Sequence, residues 1–200
     1  MNTIKLDQQK KIVLEDAIKS YTFDQDKILE PQQTVEIAAQ RLKSHLQGIP
    51  MVFINLTNSD LPLSAYQFVT NLSSANGKGI APFQAKASAI MEFIERYSWL
   101  NFDYLNNENY VMTEYQNLMT LKNVISKEYF STNCSGVSQD ILAEILTKVP
   151  LKWIPAYSLI HKKMIFIPLN WHNISCSSNG LSAGNSKEEA IFQGICEVIE

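Results

Sequence analysis

The chain has 200 residues, 46% of them hydrophobic, and its 17 Lys and Arg against 20 Asp and Glu leave a formal net charge of -3. That apolar content is enough to bury a core, in one large domain or two small ones, and excludes a disordered chain. The acidic balance and the absence of a basic run argue against a nucleic-acid partner, and no apolar stretch approaches the roughly 20 residues that would cross a membrane.

In chain order, Met1 to Asp7 carries a lysine but no apolar core or cleavage site, so a secretory signal is not supported. Cys134, Cys176 and Cys196 form no CxxC pair and leave one thiol over, against a disulfide framework and in favour of a cytoplasmic protein. Lys10 to Tyr21 reads as helical, with Ile12, Val13 and Ile18 available for burial. Pro31 starts a helix whose apolar positions are Val35, Ile37, Ala38, Leu42 and Leu46, closed by Gly48 and Pro50. His45 within it is expected to be structural or solvated. Met51 to Leu56 and Ala65 to Thr70 read as strands, the second feeding a Ser/Asn/Gly loop with an Asn76-Gly77-Lys78-Gly79 turn. That turn lacks the Gly-Lys-Ser/Thr ending of a P-loop and the third glycine of a dinucleotide fingerprint.

A helix is expected from Pro82 to Trp99 or Leu100, with Ala85, Ala89, Phe93 and Trp99 packing on a sheet and Arg96 pairing with Glu92 at i,i+4. From Asn101 to Val149 the pattern weakens. Asn106, Asn107 and Asn109 suggest a loop, Thr113 to Leu121 and Gln139 to Lys148 short amphipathic helices, and residues 101–150 together an insertion or covering segment. Trp153 to Ile160 and Met164 to Leu169 then flank His161-Lys162-Lys163 as a hairpin, in which Pro155 and Pro168 belong at an edge or a strand end. His172 and Cys176 are too weak a pattern for a metal site, and Cys196 reads as a buried thiol.

One stretch returns. Ser73 to Arg96 is echoed by Ser177 to Glu200, about a hundred residues on, and each copy runs from a Ser/Asn/Gly segment into a helical segment that carries Glu-x-Ile-Glu at its end. Aligning Glu92 with Glu197 pairs Glu95 with Glu200, Ala85 with Ala190, Gln84 with Glu189 and Ser88 with Gln193. Helical spacing puts Ser88, Glu92 and Glu95 on one face, and likewise Glu189, Gln193, Glu197 and Glu200. Neighbouring like charges weaken a helix by roughly 0.2–0.5 kcal/mol per pair, so a compensator is expected, most simply a divalent cation. A single Glu-x-x-Glu is ordinary surface charge; two in matching frames point further.

These residues resemble the YcaO family, whose ATP-binding core carries Ser-x-x-x-Glu-x-x-Glu-Arg, matched by Ser88, Glu92, Glu95 and Arg96. A second signature with paired glutamates is matched by Glu189, Glu197 and Glu200, and the Asn179 to Asn185 loop resembles the one before it. The resemblance runs from Leu14-Glu15-Asp16 to Glu200 as a single domain, 1–200, truncated on its C-terminal side, where the second signature would continue into an arginine. Ala17 replaces a family serine. The resemblance implies ATP and Mg2+ as cofactors, with Glu92, Glu95, Glu197 and Glu200 as metal ligands and Lys10, Ser88, Asn185 and Glu189 as nucleotide contacts. It assigns no catalytic residue in this chain. The activity implied is phosphorylation of a peptide-bond carbonyl oxygen, leading to an azoline or thioamide in a peptide or protein substrate. Within the family the chain looks most similar to the stand-alone accessory factor for ribosomal-protein methylthiolation, with a radical-type methylthiotransferase or sulfur-delivery protein as partner. The alternative is a non-enzymatic remnant or interaction module that oligomerises, and a homo-oligomer is expected. The expected fold is α+β: mixed or antiparallel strands packed by helices, in two related strand-loop-helix units about a cleft.

Overall fold

The computed structural model describes residues 3–5, 11–13, 27–58, 63–102, 110–121, 123–129, 138–169 and 178–200. The chain folds as two compact units, one made of Met1–Trp99 with Leu181–Glu200 and the other of Leu100–Gly180. Both are α+β with antiparallel sheets, the expected class. Among the described residues no helix is long and apolar enough to cross a membrane.

The first unit opens with two short strands, β1 (Thr3–Lys5) and β2 (Lys11–Val13), paired antiparallel. The start of the segment read as helical from Lys10 is therefore a strand, because its backbone groups pair with the preceding residues; Ala17 and Ile18 lie outside the described residues. Helix α1 (Pro31–His45) begins where the sequence places it. Glu30 caps it through a capping box, its N–H donating to Gln33 Oε1 at 3.3 Å, and Pro31 fills the first turn, where no N–H is missed. The helix closes through the Leu46 N–H on the Leu42 carbonyl at 2.7 Å, and Gly48 follows at φ 78°. His45 is exposed.

Strands β3 (Met51–Asn55), β4 (Ser64–Thr70) and β5 (Ser74–Gly79) form an antiparallel sheet in that order. The Asn76-Gly77-Lys78-Gly79 stretch is strand rather than turn: Tyr66 pairs with Gly77 and Ser64 with Gly79. The glycines are there for closeness. A Cβ on Gly77 would lie 2.1 Å from the Ala85 carbonyl oxygen and 2.2 Å from the Ala89 nitrogen, so only glycine lets β5 lie against helix α2 (Pro82–Leu100). Across this contact α1 contributes Val35, Ala38, Leu42 and Leu46, the sheet Phe68 and Ala75, and α2 Ala89, Ile90 and Phe93. Phe68 centres the cluster, with ring centroids 5.0 Å from both Phe53 and Phe93. Trp99, expected in the core, is only half-buried at the last turn of α2.

The second unit holds β6 (Val111–Thr113), β7 (Leu151–Ser158) and β8 (Lys163–Pro168) in a sheet of that order, with helices α3 (Tyr115–Leu121) and α4 (Gln139–Lys148). Thr113, expected to begin a helix, ends a strand instead. Its carbonyl accepts from Trp153 Nε1 at 2.8 Å, which satisfies the indole of a fully buried ring. Tyr115 and Leu118 complete this small core, Tyr115 Oη donating to the Ile125 carbonyl at 3.2 Å. Pro168 ends its strand as expected. Pro155 is within β7, the middle strand, but β6 pairs only as far as Trp153, so its missing donor falls on an unpaired edge. The Asn106–Asn109 loop and His172, Cys176 and Cys134 lie outside the described residues.

Candidate nucleotide and metal site

The site is built on two helices of the first unit, α2 and α5 (Lys187–Ile199). Helix α5 starts at Ser186, whose Oγ accepts from the Glu189 N–H at 3.2 Å. The turn before it is tight. A Cβ on Gly184 would lie 2.4 Å from the Ala190 nitrogen, as one on Gly79 would lie 2.7 Å from that of Ala85. The repeat seen in the sequence is thus a repeat of one backbone packing, a glycine under the first turn of a helix at the matching alanine.

From that start the carboxylates follow by helical spacing. Glu92 and Glu95 of α2 are half-buried, and Glu197 of α5 is exposed at the same cluster. The Glu95 carboxyl is raised to about 7 from the usual 4.5, first by burial, then by the like charges of Glu197 and Glu92, with Arg96 partly opposing them. Arg96 forms the expected i,i+4 ion pair with Glu92. The α5 row is held in line, since Gln193 Nε2 donates to Glu197 Oε1 at 3.2 Å.

Glu189, at the head of that row, is only 7% exposed. Its two oxygens accept from Asn185 Nδ2 at 3.1 and 3.4 Å, and one also from the Ile28 N–H at 3.3 Å. Lys27 Nζ stands 4.0 Å from Glu189 and donates to Gln193 Oε1 at 3.4 Å. Removing this buried carboxylate would take away the acceptor of Asn185 Nδ2 and of the Ile28 N–H. Sequence reading missed Lys27 and the Ile28 N–H, because no motif marks a lysine more than a hundred and fifty residues from its partner. Gln193 was legible from its place on the glutamate face.

The structure therefore brings together Glu92, Glu95 and Glu197, and separately Asn185 and Glu189, with Gln193 between the groups. Ser88 is exposed one turn before Glu92, and Glu200 is exposed one turn beyond Glu197. Lys10 lies outside the described residues. Cys196, expected to be a buried thiol, is exposed, because α5 is covered at Glu189 and Gly194 while Ile195 to Glu200 are all open. Among the described residues no three His, Cys, Asp or Glu side chains close on a point tightly enough to hold a metal alone. Magnesium asks for less: one or two carboxylates, with phosphates and waters completing its shell. The all-oxygen donor set and the mutual repulsion at Glu95 fit such a cation.

A protein-family match covers residues 76–200, and the family is described as YcaO cyclodehydratase, ATP- and Mg2+-binding. An uncharacterised protein of Methanothermobacter thermautotrophicus is 32% identical over 139 residues, which are 62% of this chain and 31% of that protein. Among solved structures, YcaO from Methanopyrus kandleri bound with AMPPCP and Mg2+ superposes with a TM-score of 0.61 at 20% identity, over 90% of this chain and 45% of the other. A heterocyclase in complex with substrate and cofactor gives 0.61 at 23% identity, covering 89% and 28%. The E. coli microcin synthetase McbBCD complex gives 0.51 at 18%, covering 75% and 39%. These likenesses establish the fold, and the chain spans less than half the length of each of these four proteins.

Proposed function

Because the chain belongs to the YcaO family, we propose that the α2–α5 cluster binds ATP with Mg2+ and serves the activation of a peptide-bond carbonyl. The observation that carries this reading is the meeting of Glu92, Glu95 and Glu197, where burial and then the like charges of Glu197 and Glu92 raise the Glu95 carboxyl to about 7, a cost of ionisation that a bound cation would relieve. Glu92, Glu95 and Glu197 would hold the metal, with Glu200 at the rim. Asn185, Glu189 and Ser88 would position the nucleotide, with Lys10 as a further phosphate contact. Glu189 and Gln193 act on geometry, keeping the α5 row fixed against Lys27 and the chain at Ile28. Bound there, magnesium-ATP would supply the phosphoryl group that turns a carbonyl oxygen into a leaving group.

The finer reading is azoline or thioamide formation, or assistance to ribosomal-protein methylthiolation with a sulfur-delivering or radical-type partner. A heterocyclase in complex with its substrate and a microcin synthetase complex share this fold, which lends support to a substrate-modifying role. Isothermal titration with ATP and Mg2+ tests the site. Glu92→Gln and Glu197→Gln are each expected to weaken binding by ten-fold or more; affinity like that of the native chain in both would overturn the assignment. Mass spectrometry of incubated peptides separates loss of water from exchange of oxygen for sulfur. An oligomer that binds no nucleotide would favour the non-enzymatic module instead.

A further inference from the structure

The β7–β8 hairpin of the second unit departs from the rest of the chain in charge. From Leu151 to Pro168 it contains Lys152, His161, Lys162 and Lys163 and no Asp or Glu, in a chain of net charge -3. It also departs in apolar exposure. Trp153, Pro155 and Tyr157 alternate onto one face of β7, opposite Pro168, Phe166 and Met164 of β8. At the base of the hairpin this face is closed by Tyr115 and Leu118. Toward the tip it opens: Tyr157 and Met164 are 56% and 50% exposed, and Ile160 in the turn is 83% exposed.

The turn itself is fixed. Ser158 Oγ accepts from the His161 N–H at 3.1 Å and lies 3.0 Å from His161 Nδ1, while Lys162 adopts the left-handed φ of 51°. The adjoining edge has no strand partner among the described residues, since β6 pairs with β7 only through Val111 to Thr113 and stops at Trp153. A strand added beyond that point would bond its backbone to the outward-facing groups of this edge, the Pro155 carbonyl and the Tyr157 N–H and carbonyl, Pro155 having no N–H to give, and its alternate side chains would fall on the Tyr157 face.

We propose that this hairpin docks an extended, acidic segment of the polypeptide substrate, with apolar residues at alternate positions against Tyr157 and Met164 and carboxylates against Lys162 and Lys163. The docking rests on the hairpin alone, and the naming of the segment as substrate rests on the peptide-directed function above. An anionic membrane is the weaker occupant, because clusters of about four to eight cations mark lipid recognition and the net charge of the chain opposes it.

Fluorescence anisotropy on the full chain tests the proposal with labelled peptides of about twelve residues alternating Glu with Leu, or Lys with Leu. The acidic peptide is expected to bind at least ten-fold more tightly, and to lose that advantage in Lys162→Asn/Lys163→Gln, where Asn keeps the left-handed turn. Ile160→Ser is expected to weaken binding several-fold with an unchanged circular-dichroism spectrum, and N-methylation of alternate peptide residues to abolish it. Equal binding of both peptides, or indifference to the lysine substitutions, would overturn it. So would capture by phosphatidylglycerol vesicles in place of peptide, or the same substitutions dissolving a dimer without affecting peptide. Glu92→Gln, which targets ATP, should leave peptide binding intact, so failure of the nucleotide site and failure of the hairpin are read separately.

Discussion

The two copies of the glycine-to-glutamate unit begin with one packing and diverge within the first helical turn. Gly79 under Ala85 and Gly184 under Ala190 make the same close approach, and in each copy the alanine N–H bonds the residue four back, Ala81 or Ser186, at 3.1 Å. One position earlier the copies differ. Gln84 turns back on its own helix, its Oε1 accepting from the Ala81 N–H at 3.1 Å. The matching Glu189 is buried and reaches outward to Asn185 and Ile28. A shared backbone contact is thus kept while one side chain is turned from closing a helix to holding a distant segment.

The sharpest way to break this comparison is at the glycines. Gly79→Ala and Gly184→Ala should each destabilise by about 3 kcal/mol, since the new methyl meets backbone that cannot yield. A urea melt in which Gly184→Ala costs nothing would show that the second copy is not packed like the first. Next comes the diverged pair. Glu189→Ala should cost about 2 kcal/mol by removing the buried carboxylate that accepts from Asn185 and from the Ile28 N–H, against well under about 1 kcal/mol for Gln84→Ala, whose bond to the Ala81 N–H is solvent-exposed. Equal losses would erase the distinction.

The third effect is a pH dependence. With a native pKa of about 7 against 4.5, the folded chain holds the Glu95 proton more tightly than the unfolded chain. The stability this provides is complete below the unfolded value and is lost as pH rises through the folded one. Unfolding midpoints should therefore fall across that window, and less steeply in Glu95→Gln. Smallest is Arg96→Ala, expected to cost about 0.3–0.5 kcal/mol as a surface helix pair. By NMR titration the same change should push the Glu95 titration further upward, because Arg96 is the charge opposing it.

Local signals carried most of the helices. Pro31 with its capping residues, Pro82 at the head of α2 and the amphipathic run from Gln139 each placed an element from nearby residues alone. The two apolar runs flanking His161-Lys162-Lys163 likewise placed the β7–β8 hairpin, with Pro155 and Pro168 limited to an edge or a strand end. Asn-Gly-Lys-Gly misleads because its composition is that of a turn, whereas pairing with β4 and the space beside α2 decide the strand. Cys196 misleads for the opposite reason: its apolar neighbours suggest burial that the far end of α5 does not receive.

The sequence by itself determined the repeat, the helical face on which each glutamate row lies, and the α+β class, because these follow from spacing along a chain of fixed helical and strand periods. Tertiary structure alone decided which charges meet. The nearness of Glu197 to Glu95 and of Lys27 to Glu189 depends on two segments far apart in the chain being packed together, and the electrostatic shift at Glu95 exists only once they are.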